Sequence, residues 1–142
     1  MKKSMFFALS GLLVVPLAFA DLPAATTTGA ATYLSGGIGQ DEATAIQHEA
    51  SKYPVELEFV VKAQPRDEFT ADVHVKVTDN HGKQILDTVS NGPFLLAQLP
   101  NGHYRVDAMK NGQTKTRDMT VKAGAHQHLI FEWNPVTPVA TP

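Results

Sequence analysis

His126 and His128 stand two residues apart in an alternating segment, so a strand there would project both imidazoles from one face. Two imidazoles at that spacing can hold copper or zinc once a third ligand approaches. His74 and His103, read as outward-facing on other strands, are the candidates for that third ligand. Glu56 and Glu58 likewise share one face of a strand, with Asp72 a candidate neighbour. Paired carboxylates do glycosidase work only across a cleft. Nothing in the sequence indicates a cleft, so a solvated strand face is expected. Ser35, Ser51 and Ser90 lie in no G-x-S-x-G setting, which leaves them without the elbow a hydrolase nucleophile uses.

The glycines of "YLSGGIGQDEA" (Tyr33 to Ala43) raise the question of a phosphate loop. A Walker-type loop needs G-x-x-x-x-G-K-[ST], where lysine neutralises phosphate and the hydroxyl holds magnesium. Neither group is in place, and Asp41 and Glu42 would repel an anion from the amides ahead of them. A dinucleotide site needs a βαβ context, which is missing. The sequence therefore predicts a sharp, closely packed turn, with Ile38 filling the core. The loop Ser35, Gly36, Gly37, Ile38 and Gly39 is also a candidate recognition surface, because loops on rigid scaffolds carry binding.

The elements that must position these groups follow an N-terminal address. Lys2 and Lys3 precede an apolar run from Met5 to Val15 and then Ala18-Phe19-Ala20, the layout of a secretory signal peptide. Cleavage is expected after Ala20, and the run is about half of the roughly 20 residues a spanning helix needs. Loss of Lys2 and Lys3 takes the formal net charge from −2 to −4. With no basic patch, nucleic acid and anionic membrane are poor partners. The chain has no cysteine, so it has neither a disulfide framework nor a thiolate site, and an ordinary hydrophobic core must hold it. A periplasmic or secreted protein is expected, with no membrane span after cleavage.

Residues 21–32 are small, polar and aperiodic, and read as a flexible lead-in; residues 134–142, rich in proline, read as a disordered tail. Between them, a single domain spans residues 33–133. Asp41 to Lys52 is the one helix expected: acidic residues begin it, Ala43, Ile46 and Ala50 form a narrow apolar stripe, and Pro54 stops it. From Val55 the period changes to two. Val55, Leu57, Phe59 and Val61 alternate with Glu56, Glu58 and Lys62, and Ala71, Val73, Val75 and Val77 with Asp72, His74 and Lys76. Further strands are expected over Gln84–Val89, Phe94–Leu99, His103–Lys110, Lys115–Lys122 and His126–Trp133, separated by turn signals. Seven strands so spaced predict a mainly β fold, a seven-stranded antiparallel β-sandwich with one short N-terminal helix. Leu129, Phe131 and Trp133 are expected in its core.

One stretch carries a resemblance. Ser90 to Gly124, through Gly92, Phe94, Leu99, Pro100, Gly102, Tyr104, Val106 and Gly112, resembles the carboxypeptidase regulatory-like domain, a transthyretin-like β-sandwich. The resemblance implies structural roles: Gly102 turns the chain, and Tyr104 and Val106 point inward. It implies no peptidase chemistry, since that domain is the non-catalytic partner in those enzymes. The glycine entry and helix also resemble the front of a set of small exported Gram-negative bacterial proteins without an established activity. The sequence thus points to a non-enzymatic exported binding module, contacting a protein or envelope component through loops and needing no cofactor. The alternative is a periplasmic metal-binding protein using His126 and His128. A carboxylate hydrolase ranks third, and an exposed strand edge leaves room for self-association.

Overall fold

Alternation with a period of two shapes most of this chain, and its inward members build one core between two sheets. The structure is a computed structural model and describes residues 22–136. The expected signal cleavage after Ala20 lies outside the described residues, as do residues 137–142 of the expected tail.

In chain order the elements are β1 (Thr26–Thr28), β2 (Ala31–Gly36), α1 (Gln40–Ala50), β3 (Val55–Val61), β4 (Glu68–Phe69), β5 (His74–Asp79), β6 (Gln84–Val89), β7 (Phe94–Gln98), β8 (Gly102–Lys110), β9 (Gln113–Val121) and β10 (Gln127–Trp133). The first sheet runs β1-β2-β7-β3-β10, with β4 paired to the end of β3; the second runs β6-β5-β8-β9. The fold is mainly β with one helix.

Val55, Leu57 and Phe59 of β3, Val75 and Val77 of β5, Tyr104 and Val106 of β8, and Leu129, Phe131 and Trp133 of β10 join one buried cluster. Phe59, Phe131 and Trp133 lie 6.0–6.3 Å apart by ring centroid, at tilted or offset angles that aromatic pairs favour. The Tyr104 hydroxyl donates to the Pro100 carbonyl at 2.6 Å and so braces the turn before its own strand. Burial, with the charge of Asp79, pushes that phenol above its usual range.

A second, smaller cluster lies on the outer side of the first sheet. Ile46 and Ala50 of α1 pack on Leu34 of β2 and Phe94 and Leu96 of β7. A helix this short gains its stability from that apolar stripe rather than from propensity. Its start has no side-chain cap, but Asp41 and Glu42 complement the dipole there.

Four expectations about the fold are corrected. Among the described residues there are ten strands, not seven. Part of the supposed lead-in is a hairpin: Thr28 pairs with Ala31 around Gly29, whose φ of 57° suits a tight turn. The strand anticipated through Ala71 and Val73 breaks where the chain crosses between sheets. Asp72 has φ 58° there, and the Ser90 hydroxyl takes the Val73 amide at 3.1 Å. Nor is the pairing wholly antiparallel. β10 runs parallel to β3 from Gln127↔Val55 to Trp133↔Val61. The chain leaves β9 beside the start of β3, where Gln127 N donates to Pro54 O at 2.9 Å, and so enters in the same direction.

Candidate interaction surface

The glycine loop is tied down by hydrogen bonds from within the chain. Ser35 Oγ accepts the Asn91 amide at 3.1 Å, and Glu42 Oε1 accepts the Gly37 amide at 2.7 Å. That amide is the kind a bound anion would need, and the chain's own carboxylate occupies it. A Cβ on Gly92 would collide with the Gly36 backbone. At Gly37, with φ +104°, a Cβ would come within 2.5 Å of the Phe94 ring. Ser35, Gly36 and Gly37 are accordingly buried, so of the five loop residues singled out above only Ile38 and Gly39 are exposed. The expectation that Ile38 fills the core is overturned: it is 66% exposed at the apex of the turn.

Pairing register places the neighbours of this apex. Residues opposite one another across strands share a face. On the outer face one row reads Leu34, Leu96, Glu56, His128, and the next Gly36, Phe94, Glu58, Ile130. Phe69 continues the face opposite Val60, its ring 5.2 Å from that of Phe94. The helix packs on β2 and β7; outside its cover Glu56 and Val60 of β3 are nonetheless buried, and it is His128 and Ile130 of β10 that are exposed. At the Gly36 end of this face, Ile38, Phe69 (58% exposed) and Ile130 (47%) present large apolar side chains to solvent.

The other end of β3 and β10 is polar. His126 stands just ahead of β10 and turns its Nε2 to Glu56 Oε2 at 3.2 Å. Its Nδ1 lies 2.7 Å from the Tyr53 carbonyl, which can only accept, so Nδ1 carries a proton and donates. His128 bridges the two carboxylates, with Nδ1 3.8 Å from Glu56 Oε2 and Nε2 3.7 Å from Glu58 Oε2. The two histidines therefore do share a side, as the spacing predicts. Glu56 and Glu58 do not form the solvated face expected of them. Glu56 is buried, and Glu58 is pushed above its usual range by burial, an effect that His128 offsets and Glu56 reinforces.

His74 and His103 are on the second sheet, bonded to Asp87 and to Thr120 Oγ1, and so do not complete a site with His126 and His128. Among the described residues, no three His, Asp or Glu side chains surround a common point as a metal cage would. Asp72 is at the crossover between sheets, away from Glu56 and Glu58. Sequence reasoning missed Phe69, which stands in a two-residue strand amid charged and turn-forming neighbours, and Ile130. The signal for Ile130 was present: it is the one apolar residue on the polar register of its strand.

No family model matches the chain, and no curated protein matches it. Among the described residues no helix is long and apolar enough to cross a membrane.

Proposed function

We propose that the chain is a non-enzymatic binding module, exported to the periplasm or medium after cleavage behind Ala20. It is a transthyretin-like β-sandwich of the carboxypeptidase regulatory-like kind that contacts a protein or envelope partner. The Tyr104-to-Pro100 brace and the core common to both sheets support the fold reading. One observation carries the functional reading: Ile38, Phe69 and Ile130 are exposed at the same end of one face. Solvent-facing apolar residues scattered singly need no explanation, whereas a group of them on a rigid frame marks a contact surface. The binding loop is thus narrowed to its apex, and Phe69 and Ile130 are added to it. A photo-crosslinking amino acid at position 38, in cells producing the protein, is expected to give a discrete adduct. The same probe at Thr116, on the second sheet, is expected to give none. Equal labelling from both positions would remove the reading.

A second reading keeps His126 and His128 as metal ligands. Glu56, reaching toward both imidazoles, favours it, as does the Tyr53 carbonyl, which orients His126 in the manner of an outer-shell partner. The side chains must rearrange to close around an ion. Zinc or copper titration by calorimetry is expected to lose affinity in His128→Ala and to keep it in His48→Ala. Unchanged affinity in His128→Ala would end this reading.

A further inference from the structure

We infer that the outer edge of β10 is a self-complementary pairing surface for a second copy of this chain, and that Arg117 of β9 guards it. This goes beyond the partner proposed above: the surface is a strand edge and the occupant is the chain itself. β10 ends the first sheet and pairs with β3 alone. Gln127 N donates to Pro54 O, and Trp133 O accepts from Lys62 N. Alternate residues of a parallel strand turn the same way, so Leu129 and Phe131 also point their backbone groups at β3. His128, Ile130 and Glu132 therefore turn their N–H and C=O groups outward. Ile130 O indeed receives Arg117 Nη1 at 3.2 Å from the other sheet.

That edge matches itself under a two-fold axis through Ile130. Antiparallel pairing about the axis sets Ile130 opposite Ile130, and His128 opposite Glu132 on either side. The backbone groups of each opposed pair face one another, so each pair would exchange two hydrogen bonds. On the outer face the exposed Ile130 side chain would meet its own copy. The register of β3 on β10 extends the neighbouring row. Glu56 and His128 of one copy would run on to Glu132 of the next, an imidazole between two carboxylates. Like charges are not set opposite one another there. Lys62, 3.5 Å from Glu132, stays beside it in an exposed pair worth little by itself. On the inner face Leu129 would meet Phe131, so that register is apolar. A two-fold contact of this kind closes on itself and yields a dimer.

Arg117 stands in the way. It is on the register of the buried Met119 and Val121, yet it is exposed, because β9 is an end strand of the second sheet. Its guanidinium lies 6.0 Å from the centre of the Phe131 ring and holds the Ile130 carbonyl, one of the acceptors that pairing needs. Pairing would also bring Arg117 of both copies to the axis, cation beside cation, with Lys115 two residues away on each β9. Inward-pointing charge is a means by which sheet edges are kept from pairing. Since the side chain is exposed, its removal frees the edge and leaves the core in place.

Sedimentation of the mature protein across a concentration series tests this. The parent is expected to be monomeric where Arg117→Ala is a dimer, with dimerisation at least about tenfold tighter in the variant. Arg117→Thr, which suits a strand, is expected to behave alike and serves if Arg117→Ala folds poorly. Adding Ile130→Lys to Arg117→Ala opposes two cations at the axis and is expected to restore the monomer. A cysteine reads the register, since the chain has none of its own. Ile130→Cys with Arg117→Ala is expected to form an intermolecular disulfide under mild oxidation. Hydrogen-bonded antiparallel pairs hold their Cα atoms about 5.5 Å apart, within a disulfide's reach. Val89→Cys, exposed on the opposite end strand of the second sheet, is expected to form none. An Arg117→Ala protein that stays monomeric, assembles beyond a dimer, ignores Ile130→Lys or cross-links equally through position 89 would overturn the proposal. So would a parent that dimerises as tightly as Arg117→Ala, since Arg117 would then guard nothing.

Discussion

The two outer faces of this molecule solve the same problem differently. The second sheet lays short polar pairs along its outer face, within β8 and across to its neighbours. Thr116 Oγ1 donates to Asp107 at 2.6 Å, Arg105 Nε to the same carboxylate at 3.3 Å, and His74 bonds Asp87. Its large exposed apolar groups, Val89 and Met109, flank His74 on either side. The first sheet has apolar residues on both of its faces, and it uses a helix to cover the outer ones on only two strands. The remainder divides into a histidine–carboxylate cluster and an apolar end. Exposed apolar side chains thus remain on both outer faces, and only the first sheet uses a helix to cover part of its own.

The sharpest way to break that comparison uses two phenylalanines in contact. Phe94 is 1% exposed beneath the helix, while Phe69, 5.2 Å away, is 58% exposed. Phe94→Ala removes the ring on which the Gly37 backbone and part of the helix rest, and is expected to cost about 3–5 kcal/mol. Phe69→Ala loses a ring that is mostly in water already, so about 1 kcal/mol or less is expected. Chemical denaturation of both variants reads the difference directly. If the two substitutions cost the same, Phe69 belongs to the core and the contact surface shrinks to Ile38 and Ile130.

Where the chain's pattern is strong, the fold is legible in it. The alternation of β8 and β10 and the Ala43, Ile46, Ala50 stripe mark those elements because one face of each is buried, whereas β3 alternates in sequence although Glu56 and Val60 on its outer face are buried too. Where burial does not impose a pattern, the sequence is silent. Thr26, Thr27 and Thr28 form a strand with every side chain exposed, and no alternation signals it. The two-residue β4 is too short to have a period. The candidate surface was half legible for a related reason. Spacing alone puts His126 with His128 and Glu56 with Glu58, but only the register of β10 on β3, set by where the chain re-enters, brings the two pairs together. Ile38 was misplaced because an apolar residue among glycines reads as core, and a turn apex held from below leaves it outside. The resemblance to an accessory domain covers strands of the core and turns, which is why it could suggest a fold and not a contact.

The smallest expected effect concerns the polar end of the first sheet's outer face, and it separates the two sheets by sign. Glu58 on the first sheet is held above the ordinary carboxylate value of 4.5, so between 4.5 and its raised value the folded chain binds more proton than the unfolded one. Its contribution to stability therefore falls as pH rises through that window. Once ionised, above that window, the half-buried group is a liability. Asp79 on the second sheet runs the other way. The Lys83 amide, followed by that of His81, holds its carboxyl below 3.8, so what it contributes is present above that value and lost as pH falls through the lowered one. Melting temperature against pH is expected to show Glu58→Gln at or slightly above the parent at pH 7, with the parent's relative gain on approaching pH 4.5 abolished. Asp79→Asn is expected to lower stability at pH 7 and to converge with the parent in strong acid. A Glu58→Gln variant that is less stable than the parent at pH 7 would mean that the bridge to His128 outweighs the cost of burial. The polar end would then be a clasp holding β10 to β3.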